Sequence, residues 1–134
     1  MQGDEDIRWK QRFQNFQSAY RLLEDAIVIK QPTEVERAGI IQFFEMTFEL
    51  SWKLLKDYLE QEGFIVKTPR QVLKQAFQTE IIDDGEIWLN ALSDRNLTAH
   101  TYEEKTAAKV ERAIRAEYYP AIVKLYDFFI ALDN

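Results

Sequence analysis

Phe43-Phe44-Glu45-Met46-Thr47-Phe48-Glu49-Leu50-Ser51-Trp52-Lys53-Leu54-Leu55-Lys56-Asp57-Tyr58-Leu59 carries its apolar side chains at spacings of three and four, the period of an α-helix. Ile40 and Ile41 extend the pattern upstream, where Thr33 followed three residues later by Glu36 has the form of a capping box. Gly63 marks the stop. A helix from the Thr33 cap to Glu62 follows, about 29 residues and roughly 43 Å long. Ile40, Ile41, Phe44, Phe48, Leu55 and Leu59 form one stripe, and Phe43, Met46, Leu50 and Leu54 form another. A helix apolar on more than one side lies centrally, packed by its own bundle on one face and by a second subunit on the other, so a homodimer is expected. Between the stripes run Glu45, Glu49, Lys53 and Lys56, with Glu49 and Lys53 in the favourable order for an i,i+4 ion pair. These charges form either a solvated face or the polar wall of a cleft.

The flanking sequence supplies partners for that helix. Trp9, Phe13, Phe16, Tyr20, Leu23 and Ile27 predict a first helix from about Ile7 to Lys30, ended by Gln31-Pro32. Thr68-Pro69-Arg70-Gln71 combines a capping threonine, proline at the first helical position and glutamine three after the cap, so a short third helix should end near Gln78. Asp83-Asp84-Gly85 opens a fourth, which turns Ile87, Trp88, Ala91 and Leu92 to the core and runs into Arg95. Thr101-Tyr102-Glu103-Glu104 reads as another capping box, which starts the last helix just after His100; it should reach about Leu132 and kink at Pro120. With no repeat, low-complexity tract or linker, residues 1–134 are expected to form one domain. The expected fold is all-α, an antiparallel up-and-down bundle of about five helices.

Composition agrees. Aromatic residues are 13% of the 134, with nine Phe, six Tyr and three Trp, too many for a disordered chain. Four Gly and three Pro are too few for a turn-rich β-sandwich. The absence of cysteine removes disulfides and thiolate metal sites, and a single histidine without clustered acidic ligands argues against zinc, so no metal or cofactor is expected. The acidic start, Met1-Gln2-Gly3-Asp4-Glu5-Asp6, is unlike a signal peptide, and no apolar run approaches a membrane span; a cytoplasmic protein is the expectation. A net charge of −6 opposes bulk coating of nucleic acid but permits a local phosphate site. Arg95, Lys105, Lys109, Arg112 and Arg115 lie within about one helix of the histidine, either as such a site or as an ordinary solvated face.

Ser93-Asp94-Arg95-Asn96-Leu97-Thr98-Ala99-His100-Thr101-Tyr102 holds that only histidine. A fixed positive charge, a group that titrates near neutrality and a hydroxyl are the means of cutting a phosphodiester without metal. On an unbroken helix residues five apart are rotated by roughly 140°, so Arg95 and His100 share a site only if the chain turns near His100. A cap at Thr101 would supply that turn and set His100 before a helix N-terminus, where free N–H groups and the dipole attract anions. The same dipole disfavours imidazolium, which leaves an unliganded His100 able to act as a base. Alternatively, His100 is a surface or satisfied core residue, Tyr102 a packing aromatic and Arg95 a helix-end cation paired with Asp94 or Glu103.

Arg95-Asn96-x-x-x-His100-x-Tyr102, at the entry to the last long helix, resembles the signature of the HEPN superfamily, in particular its HepT-like proteins, also described as nucleotidyltransferase substrate-binding proteins. Phe44 to Leu59, Thr68-Pro69-Arg70, Trp88-Leu89 and Asp94-Arg95-Asn96 follow that family's pattern in order, so the likeness runs from about Phe43 to Glu104. The resemblance implies a helical-bundle dimer encoded beside a minimal nucleotidyltransferase. It further implies a metal-independent RNase toxin whose antitoxin transfers AMP to the motif tyrosine. On that basis Arg95 would stabilise the phosphorane, His100 would act as general acid or base, Asn96 would orient the substrate or cleft, and Tyr102 would be the AMP acceptor. Glu49 and Lys53 are the candidate cleft wall.

Two functions from different classes stand. One is a toxin RNase acting on an RNA such as tRNA or mRNA, for which Arg95, His100 and Tyr102 are all needed. The other is a non-catalytic subunit that presents substrate or nucleotide to a separate nucleotidyltransferase. This chain has no transferase site of its own: no Gly-Ser is followed by paired aspartates on a strand, and Asp83-Asp84 stands in a helical setting.

Overall fold

The structure, a computed structural model, describes residues 4–95 and 103–133. Every regular element among them is helical: α1 (Asp4–Ile27), α2 (Glu34–Gln61), α3 (Pro69–Gln78), α4 (Gly85–Arg95), α5 (Glu104–Ala113), a π-helical turn (Ile114–Tyr118) and α6 (Tyr119–Asp133). The last three run on as one interrupted helix, which gives five in all among the described residues, as the sequence predicts. Side-chain pairing fixes the directions. Arg8 and Arg12 near the start of α1 meet Glu60 and Asp57 near the end of α2, while Trp9 and Phe13 meet Phe129 near the end of α6. So α1 runs antiparallel to both, and α3 with α4 returns the chain between α2 and α5.

Local signals set the ends of α2 and α3. Thr33 and Glu36 form a complete capping box, as do Thr68 and Gln71 ahead of Pro69. At the end of α3, Glu80 takes the left-handed conformation (φ 63°) usually reserved for glycine, while the Ile81 N–H reaches back to the Ala76 carbonyl at 2.9 Å. That turn releases the chain into α4. α1 stops at Ile27, three residues before the expected end, and the Arg115 guanidinium donates to the carbonyls of Ile27 and Ile29.

The expected stripe on α2 is the core: Ile40, Phe44, Phe48, Leu55 and Leu59 are completely buried, and Ile41 nearly so. Each such side chain contributes about 1.5–3 kcal/mol. The second stripe divides. Leu54 is completely buried in the same core, Phe43 and Leu50 are half-buried against it, and Met46 is exposed. Thr47 and Ser51 are also fully buried, their hydroxyls donating to the Phe43 and Thr47 carbonyls at 2.7 Å. Small satisfied side chains there admit the neighbouring helices closely.

The kink expected at Pro120 takes the form of the π turn just before it. Proline has no N–H and its ring crowds the carbonyl four residues back, so the ladder widens, and the Tyr119 N–H bonds to the Ile114 carbonyl. The expected Thr101 cap is not the start of α5: the described helix begins at Glu104, with Glu103 as N-cap and no side-chain cap bond. Thr101 itself lies outside the described residues. No helix among those described is long and apolar enough to cross a membrane.

Arg115, grouped in the sequence with candidate phosphate-binding cations, is instead structural. Glu111, buried on α5, accepts from Arg37 of α2 at 2.7 Å and from Arg115 at 2.8 Å, and so ties α1, α2 and α5 together. Burial pushes the Glu111 carboxyl up, but the hydrogen bonds and charges of the two arginines outweigh it and hold the group below its ordinary 4.5. A carboxylate depressed in this way stabilises the fold above its unfolded-state value and loses that contribution as pH falls through its folded-state value. Glu111→Gln should therefore cost about 2 kcal/mol at neutral pH in urea unfolding. The gap from wild type should narrow as pH drops below 4.5.

Candidate functional site

α4 ends at the predicted arginine. Trp88, fully buried on this helix, packs its ring 5.9 Å from that of Phe48, which fixes α4 against α2. Two turns later Arg95 donates from Nη1 to Glu49 Oε2 at 2.7 Å. The pair bridges α4 and α2, with side chains 24% and 36% exposed, so it is in partial contact with solvent. Glu49 thus directs its carboxylate to Arg95 and not to Lys53, the i,i+4 partner that spacing favours. Lys53 is half-buried one turn further along the same face of α2. Arg95 also occupies the last turn of α4, where the helix dipole favours a cation.

A second hydrogen bond secures the end of α4. Tyr118, buried on the π turn, donates its hydroxyl to Asp94 Oδ2 at 2.6 Å, and its ring stacks on Phe44 at 5.4 Å. Burial above all, then the hydrogen bond and charge of Asp94 and the charge of Glu117, push Tyr118 well above the usual tyrosine range. Its hydroxyl therefore remains a donor across the neutral range. The π turn has a local purpose here: it inserts an extra residue into the ladder, which rotates the following residues by about 100° relative to an unbroken helix. Asp94 is thus occupied by Tyr118, and among the described residues Arg95 pairs with Glu49 and not with Asp94 or Glu103.

Of the residues singled out in the sequence, the structure brings Arg95 and Glu49 into contact and places Lys53 one turn from Glu49. Asn96, His100 and Tyr102 lie outside the described residues. Lys105, Lys109 and Arg112 are exposed on α5. Sequence reasoning passed over Tyr118; the available signal was Pro120, which marks where the helix ladder must change. No group of histidine and acidic residues suited to a metal ion occurs among the described residues. The arrangement offers a fixed guanidinium and a carboxylate at one accessible point, means of holding a phosphate and moving a proton.

Tyr118→Phe keeps the buried ring and removes the hydroxyl. The expected cost is about 1–2 kcal/mol in urea unfolding, with helix content by circular dichroism unchanged. Unaltered stability would mean that the Asp94 contact does not secure α4.

The family described as nucleotidyltransferase substrate binding protein like matches residues 11–130. Over 78 residues, 54% of this chain, it is 33% identical to the probable ribonuclease HepT of Haemophilus influenzae, and the match spans 53% of that protein, about half its length. A crystal structure from Thermus thermophilus superposes with a TM-score of 0.74 at 31% identity, covering 87% of this chain and 97% of that one. A Haemophilus influenzae structure, described as revealing the fold of a substrate-binding domain of a nucleotidyltransferase, gives 0.76 at 26% identity with the same two coverages, 87% and 97%. With the matched region running from α1 to α6, the chain belongs to the nucleotidyltransferase substrate-binding protein family.

Proposed function

We propose that this chain is the toxin of a two-gene toxin–antitoxin pair, a metal-independent endoribonuclease that works in the cytoplasm as a homodimer of single HEPN-like domains. The observation that carries this reading is the accessible Arg95, held at the end of α4 by Glu49 at 2.7 Å, in a chain similar to a protein named as a probable ribonuclease. In RNA the 2′-hydroxyl is an internal nucleophile, so cleavage needs proton transfer and stabilisation of the phosphorane and no metal. Arg95 meets the charge that develops on phosphorus. His100 transfers a proton, Asn96 orients the substrate, and Glu49 and Lys53 line the cleft. The products are a 2′,3′-cyclic phosphate and a free 5′-hydroxyl.

The partner in this reading is a minimal nucleotidyltransferase that acts as antitoxin by transferring AMP to Tyr102. The added nucleotide brings bulk and negative charge to the phosphate site and repels RNA, whether tRNA or mRNA. A second reading draws on the substrate-binding description of the Haemophilus influenzae structure and on the net charge of −6: a non-catalytic subunit that presents substrate or nucleotide to a nucleotidyltransferase.

Incubation of purified, unmodified protein with total cellular RNA in EDTA separates the two. Wild type should cut and leave cyclic phosphate ends, with His100→Ala and Arg95→Ala each slower by about 10²-fold or more. Intact RNA with folded wild-type protein would favour the presenting subunit.

A further inference from the structure

The chain is acidic overall, at −6, yet one helix is not. α3 has no aspartate or glutamate, while every other helical element among the described residues has at least one. Arg70, Lys74, Phe77 and Gln78 stand on its exposed face at helical spacing, and Lys67 is exposed just ahead of it. None of the ion pairs among the described residues uses Lys67, Arg70 or Lys74. Phe77 is 51% exposed, and every other aromatic side chain among the described residues is buried or half-buried. Its ring lies against the start of α4, where a Cβ on Gly85 would come within 3.0 Å of it. Beside the ring a groove of about 320 Å³ runs between α3 and α4, lined by Leu73, Gly85 and Leu89. Lys74, Gln78 and Glu86 are its polar members. A second row of exposed cations, Lys105, Lys109 and Arg112, lies on α5, which also carries Glu104 and Glu111 and has no aromatic residue.

We propose that the exposed face of α3 is a docking surface for single-stranded RNA, with one base stacked on Phe77 in the groove and the neighbouring phosphates on Lys74, Arg70 and Lys67. This rests on the ribonuclease reading and gives that enzyme a substrate-binding surface apart from Arg95, which stands at the other end of α4, roughly 15 Å along the helix axis from Gly85. Charge complementarity selects the occupant. Three cations without ion pairs suit a polyanion, an exposed ring beside an apolar groove suits a base, and the two together are what a single strand needs. Glu80 and Asp83 share a second hollow with Phe77 and Gln78 beyond the end of α3, so the phosphates lie toward its start, away from those carboxylates. Gln78 can donate to or accept from a base edge, and Glu86 can accept from an exocyclic amino group, which adenine has and uracil lacks.

The test is fluorescence anisotropy across a salt series, on the full-length wild type and variants. The probe is a labelled 2′-O-methyl oligoadenylate of about a dozen nucleotides, which has no free 2′-hydroxyl and is not cut. Phe77→Ala should weaken binding about tenfold with the salt slope unchanged, and Phe77→Trp should restore it. Arg70→Gln combined with Lys74→Gln should instead lower the slope by about 1.4, the loss of two single-strand phosphate contacts, and keep the preference for oligoadenylate over oligouridylate. Wild-type affinity in both folded variants would overturn the proposal. So would ATP that competes as well as the oligomer mole for mole, which gives the groove to a free nucleotide. A change of oligomeric state in Phe77→Ala by sedimentation, with RNA affinity unaltered, would give it to a second copy. Cleavage of unmodified RNA keeps the two claims apart. Variants that cut with the KM of an active wild type remove this surface alone, whereas a wild type that binds through Phe77 and leaves RNA intact removes the ribonuclease reading and keeps the surface.

Discussion

Burial of α2 is the constraint from which the rest follows. Its residues Ile40, Phe44, Phe48, Leu54, Leu55 and Leu59 are all withdrawn from water, which is possible only if other helices cover it from several directions. α1 closes one flank through Asp57 and Glu60, α6 brings Phe129 to within 5.6 Å of the Tyr58 ring, and α4 lays Trp88 against Phe48. The buried hydroxyls of Thr47 and Ser51, satisfied within α2 itself, let those neighbours approach without an orphaned polar group. Ten of the 28 residues of α2 are buried, and Glu49 stands among the positions left partly open.

The site is a product of that packing. Seating Trp88 brings the end of α4 opposite Glu49, and the π turn brings Tyr118 opposite Asp94, so adjacent residues of α4 are held by two different helices. Arg95 is thereby fixed in direction while its guanidinium stays accessible, the condition under which a cation can meet a developing charge without first being reorganised. The depressed Glu111 carboxyl, sealed between Arg37 and Arg115, secures the bundle and is closed to solvent where the Arg95–Glu49 pair is partly exposed.

What could be read from sequence follows the range of the forces involved. The helices and two of their caps were legible because Thr33 with Glu36, and Thr68 with Gln71, act within three residues. The contact of Arg95 with Glu49 spans 46 residues, that of Tyr118 with Asp94 spans 24, and that of Arg115 with Ile27 spans 88. No local spacing announces such pairs. Lys53 was the better partner for Glu49 by helical rules and lost to a guanidinium brought in by tertiary packing. The same limit left open that Leu54 of the second stripe joins the core while Met46 stays exposed, since periodicity gives the stripes of a helix but not which of them a neighbour covers. Pro120 announced an irregularity, but not that the chain would resolve it as a π turn bearing the tyrosine that holds Asp94.

The central claim is that Arg95 exists to meet a phosphate of RNA and is not merely the partner of Glu49. Its most direct test is the affinity of wild type and Arg95→Ala for an RNA blocked by 2′-deoxy substitution at the cleaved position, by fluorescence anisotropy across a salt series. The account predicts that Arg95→Ala binds about tenfold or more weakly, with a shallower dependence on salt. Equal affinity and an equal salt slope in the folded variant would contradict it and leave Arg95 as a structural tie between α4 and α2.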